Sequence, residues 1–107
     1  MALTRTVVAA ALLACACAPP AIKGGFDSPD PAARMTAIRK AGRAGDLTAT
    51  RQIVEQLDCD DPAVRILAIS TLERLTGETY DYRFDDPPYL RRVVIKRWQE
   101  SLGSGNG

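Results

Sequence analysis

Asp30-Pro31-Ala32-Ala33-Arg34-Met35-Thr36-Ala37-Ile38 returns at an offset of 31 as Asp61-Pro62-Ala63-Val64-Arg65-Ile66-Leu67-Ala68-Ile69. Six of the nine positions are identical, and Ala33/Val64 and Met35/Ile66 exchange one apolar side chain for another. Both copies have the chemistry of a helix start. An aspartate carboxylate accepts the unpaired N–H groups of a first turn and suits its positive end. A proline just inside gives up a donor that would have had no partner. Asp86-Pro87 repeats the device, with Asp85 ahead of it as Asp60 stands ahead of Asp61. Three such starts predict three helix onsets, at Asp30, Asp61 and Asp86.

Downstream of the second onset, Val64, Leu67, Ala68, Leu72 and Leu75 recur three and four residues apart, a helical stripe that stops at Gly77. Ile66 and Ile69 lie off that stripe, so the helix is apolar on two sides and belongs inside a stack. The first copy shows smaller residues, Ala33, Ala37, Ile38 and Ala41, and ends around Gly42 to Gly45, as a terminal unit would. Between the copies Asp46 can cap a short helix carrying Leu47, Ile53, Val54 and Leu57. The expected helices are 29–42, 47–57, 61–75 and 87–102, an all-α chain.

The last third departs from the repeat. Aromatic and charged residues alternate from Tyr80 to Phe84, but so short a run with no partner strand reads as an extended loop. The helix after it is expected to bury Leu90, Val93, Val94, Trp98 and Leu102, with Arg91, Arg92, Lys96 and Arg97 flanking them. Five of the six aromatics lie between positions 80 and 98. They read in two compatible ways. One is a hydrophobic cluster closing the open end of the domain. The other is a partner-binding edge made of Tyr80, Tyr82, Arg91, Arg92 and Trp98, the residue types enriched at interface hot spots.

Over residues 27–77 the order helix, Gly-Asp turn, helix, Asp-rich turn, helix resembles the HEAT repeat in its bacterial HEAT-like form. The residues that carry the likeness are Ala33-Arg34, Ala37, Ala41, Gly45-Asp46, Ile53 and Leu57, then Val64-Arg65, Ala68 and Leu72. Leu75-Thr76-Gly77, Tyr80-Asp81 and Trp98 are similar to the ending of many such proteins. The resemblance implies a short α-solenoid of antiparallel helical hairpins, over residues 27–104, with a C-terminal capping helix. It also implies that Arg34 and Arg65 are structural arginines bonding the acidic turns of the neighbouring unit, alongside the capping residues Asp30, Asp61 and Asp86.

The N-terminus reads as an address. Arg5 is followed by Val7 to Ala14, an apolar run far shorter than the roughly 20 residues a membrane-spanning helix needs. One positive charge, a short apolar stretch and small residues fit a secretory signal. Leu12-Leu13-Ala14-Cys15 further resembles the lipobox of bacterial lipoproteins, which implies cleavage after residue 14 and a diacylglyceryl thioether on Cys15. An ordinary secretory signal shares the first two features. Residues 15–26, with two prolines and two glycines, are expected to be a flexible tether. Arg5 is the one charge removed with residues 1–14, so the remainder balances thirteen basic against thirteen acidic side chains. Cys17 and Cys59 would meet oxidising conditions, and the sequence leaves open whether they pair.

The 107 residues include no histidine, and no glycine-rich phosphate loop, GxSxG or cysteine set at metal spacing appears. The expectation is a non-enzymatic protein without cofactor, metal or small-molecule substrate. A neutral chain also has little attraction for nucleic acid. What remains is a lipid-anchored protein-protein interaction or scaffold module of the bacterial envelope, or a small subunit or assembly factor of an envelope complex that folds stably only with its partner. Both face the periplasm or cell exterior, held to the membrane by the N-terminal lipid.

Overall fold

The computed structural model describes residues 25–104, and every regular element among them is helical. Helix α1 is Pro31–Ala44. A short helix α2, Thr50–Glu55, is extended at both ends by 3-10 turns, Leu47–Ala49 and Gln56–Asp58. Helices α3, Pro62–Thr76, and α4, Pro88–Ser104, follow. The expected signal (1–14) and the first ten residues of the expected tether, Cys15 among them, lie outside the described residues.

The repeated Asp-Pro starts work as the sequence predicts at two of three places. The Asp30 carboxylate accepts from Ala32 N at 3.0 Å and that of Asp61 from Ala63 N at 2.9 Å, with the prolines in the first turn. Asp46 caps the Leu47 turn through Thr48 N in the same manner. Asp86 does not. Pro87 is followed by Pro88, and Pro88 takes the first helical position, so the carbonyl opening α4 is that of Pro87. Asp86 therefore sits one residue too early to cap, and its carboxylate instead faces Arg83 at 3.9 Å. Gly45 and Gly77, at φ 64° and 81°, end α1 and α3 in the left-handed conformation that only glycine adopts without strain.

Helices α1 and α3 lie side by side and run the same way. Arg34, near the start of α1, donates to Cys59 Sγ just ahead of α3, while Gly42, near the end of α1, faces Thr71 and Arg74 of α3. Helix α2 packs on α3 and on α4. The core enclosed between them is built on Ile38, Ile53, Val54, Leu57, Val64, Leu72, Ile95 and Trp98. Leu67, Ile69 and Leu75 pack at its edge as a two-sided helix should, but Ile66 is exposed. Phe26, expected in the tether, is a core residue, and Gln56 Nε2 donates to its carbonyl at 3.2 Å.

The face α4 buries differs from the expected one. Arg91, Val94, Ile95, Trp98 and Leu102 turn inward, whereas Leu90 and Val93 point to solvent. Val93-Val94-Ile95 is a contiguous apolar run and fits more than one face. The choice falls to tertiary partners: Arg91 finds the Asp86 carbonyl and the Asp58 carboxylate on the inner side, and its burial turns Leu90 and Val93 outward.

Candidate functional site

Arginines at the fourth position of three helices tie the turns together. Arg34 Nε donates to Ser28 O at 2.6 Å, and its Nη1 reaches Cys59 Sγ at 3.4 Å. Arg65 Nη1 donates to Cys59 O and Asp60 O at 2.6 and 3.1 Å, and its Nε to Phe84 O at 3.0 Å. Each joins the turn before its own helix to the turn before a later one. The acceptors in these turns are carbonyls and a sulfur, not the side-chain carboxylates. Arg91 is the third of the set. Its Nη1 donates to Asp86 O at 2.8 Å, and Nη2 lies 3.6 Å from the Asp58 carboxylate.

Of the five residues expected at a partner-binding edge, Arg91 and Arg92 meet Asp58 near the start of α4 and Tyr80 meets Trp98 further along it, and three of the five are inside. Trp98 is 2% exposed, and Tyr82 and Arg91 are buried. The edge of one aromatic ring meets the face of the other where Tyr80 contacts Trp98, centroids 4.9 Å apart and planes at 89°. Tyr80 donates to Ser101 Oγ at 2.8 Å, and the Arg97 guanidinium lies 5.3 Å from its ring centre. Tyr80 and Asp81 hold φ of 53° and 61°, a conformation that costs on the order of 1 kcal/mol per non-glycine residue. These aromatic contacts and the Glu78 carboxylate, which accepts from Thr79 N and Tyr80 N, secure that turn. Arg92 is exposed and 3.5 Å from Asp58.

Tyr82 donates to Leu57 O at 2.6 Å, across the join between the 77–87 loop and α2. Burial pushes its phenol up to about 12, against the opposing pull of Arg65 and Arg91. The unfolded chain releases this proton near pH 10 while the folded one holds it, so stability falls as pH rises from about 10 to about 12. Tyr82→Phe should lose about 1–2 kcal/mol at neutral pH by leaving a buried carbonyl unpaired. It should also remove that share of the alkaline decline. Urea titrations of both proteins at pH 7 and pH 11 measure both effects.

The most exposed apolar group lies outside the expected edge. Tyr89 and Val93 are 68% and 66% exposed, and Leu90 lies between them on the first turns of α4. Their signal is apolar residues three and four apart, which for Leu90 and Val93 predicts burial in the core. Arg39, Arg43 and Arg74, far apart in sequence, line one groove between α1 and α3.

Among the described residues no cluster of three or more His, Cys, Asp or Glu is placed to hold a metal ion, and no helix is long and apolar enough to cross a membrane. Cys59 carries no disulfide among them, and Cys17 lies outside them. Comparison of the chain with protein-family models, with curated proteins and with solved structures finds no match.

Proposed function

We propose that this chain is a non-enzymatic, lipid-anchored interaction module of the bacterial envelope, displaying a short HEAT-like stack to a protein partner. In this reading α1 and α3 form one layer and α2 and α4 the other, the layers being linked as antiparallel hairpins with α4 as the cap. The parallel course of α1 and α3 and the recurring arginine clamps support that arrangement. The observation that carries the binding role is the exposed apolar group Tyr89, Leu90 and Val93 beside the exposed Arg92. An aromatic, two aliphatic groups and an arginine on one rigid helix are the composition of an interface centre. The partner surface is therefore assigned to the outer face of α4. Trp98, Tyr82 and Arg91 support it from beneath.

Pull-down from membranes with wild-type protein, and with Tyr89→Ala and Val93→Asp variants, tests this role. The variants are expected to lose a partner that the wild type retains. If both keep every partner, this face is not the interface. The anchor is tested separately by radiolabelled palmitate. Label is expected in the wild type, and label that survives Cys15→Ala removes the anchor from the proposal.

The same exposed face favours a second reading, a small subunit or assembly factor that is stable only when α4 is covered. Light scattering on residues 18–107 distinguishes them. A folded monomer supports the display module, and an unfolded or self-associated fragment supports the subunit.

A further inference from the structure

Helix α1 carries four basic side chains and no acidic one. Arg34 is engaged at its start. Arg39, Lys40 and Arg43 lie exposed on its second half, with no ion pair or side-chain hydrogen bond among the described residues. Because α1 and α3 run in parallel, the end of α3 delivers Arg74 to the same place. Arg39, Arg43 and Arg74 line a groove of about 460 Å³ between the two helices, where Glu73 supplies the single carboxylate.

Two observations mark this groove as more than a solvated face. The first is Gly42, a residue that weakens a helix interior by about 1 kcal/mol relative to alanine. A Cβ there would lie 2.5 Å from Arg74 Nη2 and 3.0 Å from Thr71 Cγ2, so the missing side chain is what lets the guanidinium lie across α1. The second is the pairing of charges, since Glu73 is the one carboxylate lining the groove and makes no ion pair with the three arginines among the described residues. The arginines gathered here are not spent on a carboxylate.

We propose that the groove between α1 and α3 is a phosphate-binding site in which Arg39, Arg43 and Arg74 grip a single phosphate group. Guanidinium forks present paired donors that match phosphate oxygens, and arginine keeps its charge at any physiological pH. At about 460 Å³ the groove has room for the phosphate together with the group that carries it. Its position identifies the source. Lys40 lines both a cavity beside Arg39 and Arg43 and another beside Phe26, where the chain enters the fold. The basic face and the entry of the expected tether therefore share one helix. On an anchored protein this brings the groove to the lipid headgroups, and only this choice of source rests on the anchor proposed above.

The test follows the arginine Nε–Hε NMR signals of the full chain in non-ionic detergent. Inorganic phosphate is titrated in one arm, and phosphatidylglycerol or phosphatidylcholine in the others. Saturable shifts of Arg39, Arg43 and Arg74 are expected with phosphate. Affinity should fall about tenfold in Arg74→Gln, the loss of one charge-assisted hydrogen bond, with Arg65 unmoved as a report on the fold. Arg39→Gln gives the same reading if Arg74→Gln disturbs Arg65. Saturation by phosphatidylglycerol, reversed by free phosphate, supports the headgroup as source. Saturation by phosphate alone supports the site with a soluble phosphate compound as its ligand. A linear drift shared by Arg51 and Arg92, or variants that titrate as the wild type does, overturns the proposal. None of these outcomes depends on whether Cys15 is acylated, so a failed anchor and a failed groove are told apart.

Discussion

Trp98→Ala is expected to cost about 3–5 kcal/mol, the range for truncating a large buried aromatic. A small domain has about 5–15 kcal/mol in all, so the variant should be largely unfolded at moderate urea. Three losses combine at this position. A ring that is 2% exposed leaves a cavity between α2 and α4. Tyr80 loses its edge-to-face partner, worth about 0.5–1.5 kcal/mol beyond area. The left-handed pair Tyr80-Asp81 then has less to hold it. Trp98→Phe separates packing from polarity. The indole Nε1–H has no acceptor among the described residues, so phenylalanine forfeits volume but no hydrogen bond. It should cost far less than alanine. Trp98 is the chain's one tryptophan, so unfolding must be followed by circular dichroism rather than by fluorescence.

Arg65→Ala should cost about 2–3 kcal/mol, two to three times the ~1 kcal/mol expected for losing the Asp61 cap. Its three donated bonds end on Cys59, Asp60 and Phe84, so one side chain fastens the turn before α3 to the loop before α4. Arg65→Lys should rescue little. One ammonium on a flexible stem cannot meet acceptors that lie on two sides of a planar fork. Hydrogen exchange checks the mechanism as well as the size. Amides of the 77–87 loop should lose protection more than those of α1, whereas Asp61→Ala should act first on the opening turn of α3. Equal loss along the whole chain would mean that Arg65 acts through general packing instead.

Much of the fold was legible in the sequence because its signals are local. An aspartate before a proline and a glycine after a periodic stripe fix where α1 and α3 begin and end, to within two residues. The departures are places where distant groups decide. Asp86-Pro87 has the same local signal as Asp61-Pro62, but the second proline moves the helix start by one position. The inward face of α4 depends on Asp58 and the Asp86 carbonyl, which give Arg91 a reason to be buried. Phe26 is held by Gln56, thirty residues away. The arginine groove left no trace in any one segment, since Arg39 and Arg43 look like the solvated side of α1 until the fold sets Arg74 beside them. The offset that revealed the repeat extends to Arg43 and Arg74, and there the signal could have been found.

The packing of α4 also has a bearing on the order of events as the chain is made. α2 and its flanking turns lie against α4, and Trp98 and Ile95 close the core that α1, α2 and α3 begin. The polypeptide through Gly77 therefore leaves Leu57 and Val54 without their cover, and Arg65 without its Phe84 acceptor, until residues 84–102 have been synthesised. Folding should thus complete late and in one step, when the closing helix arrives. A nascent chain of this design stays pliable for longer than one whose repeats close one at a time.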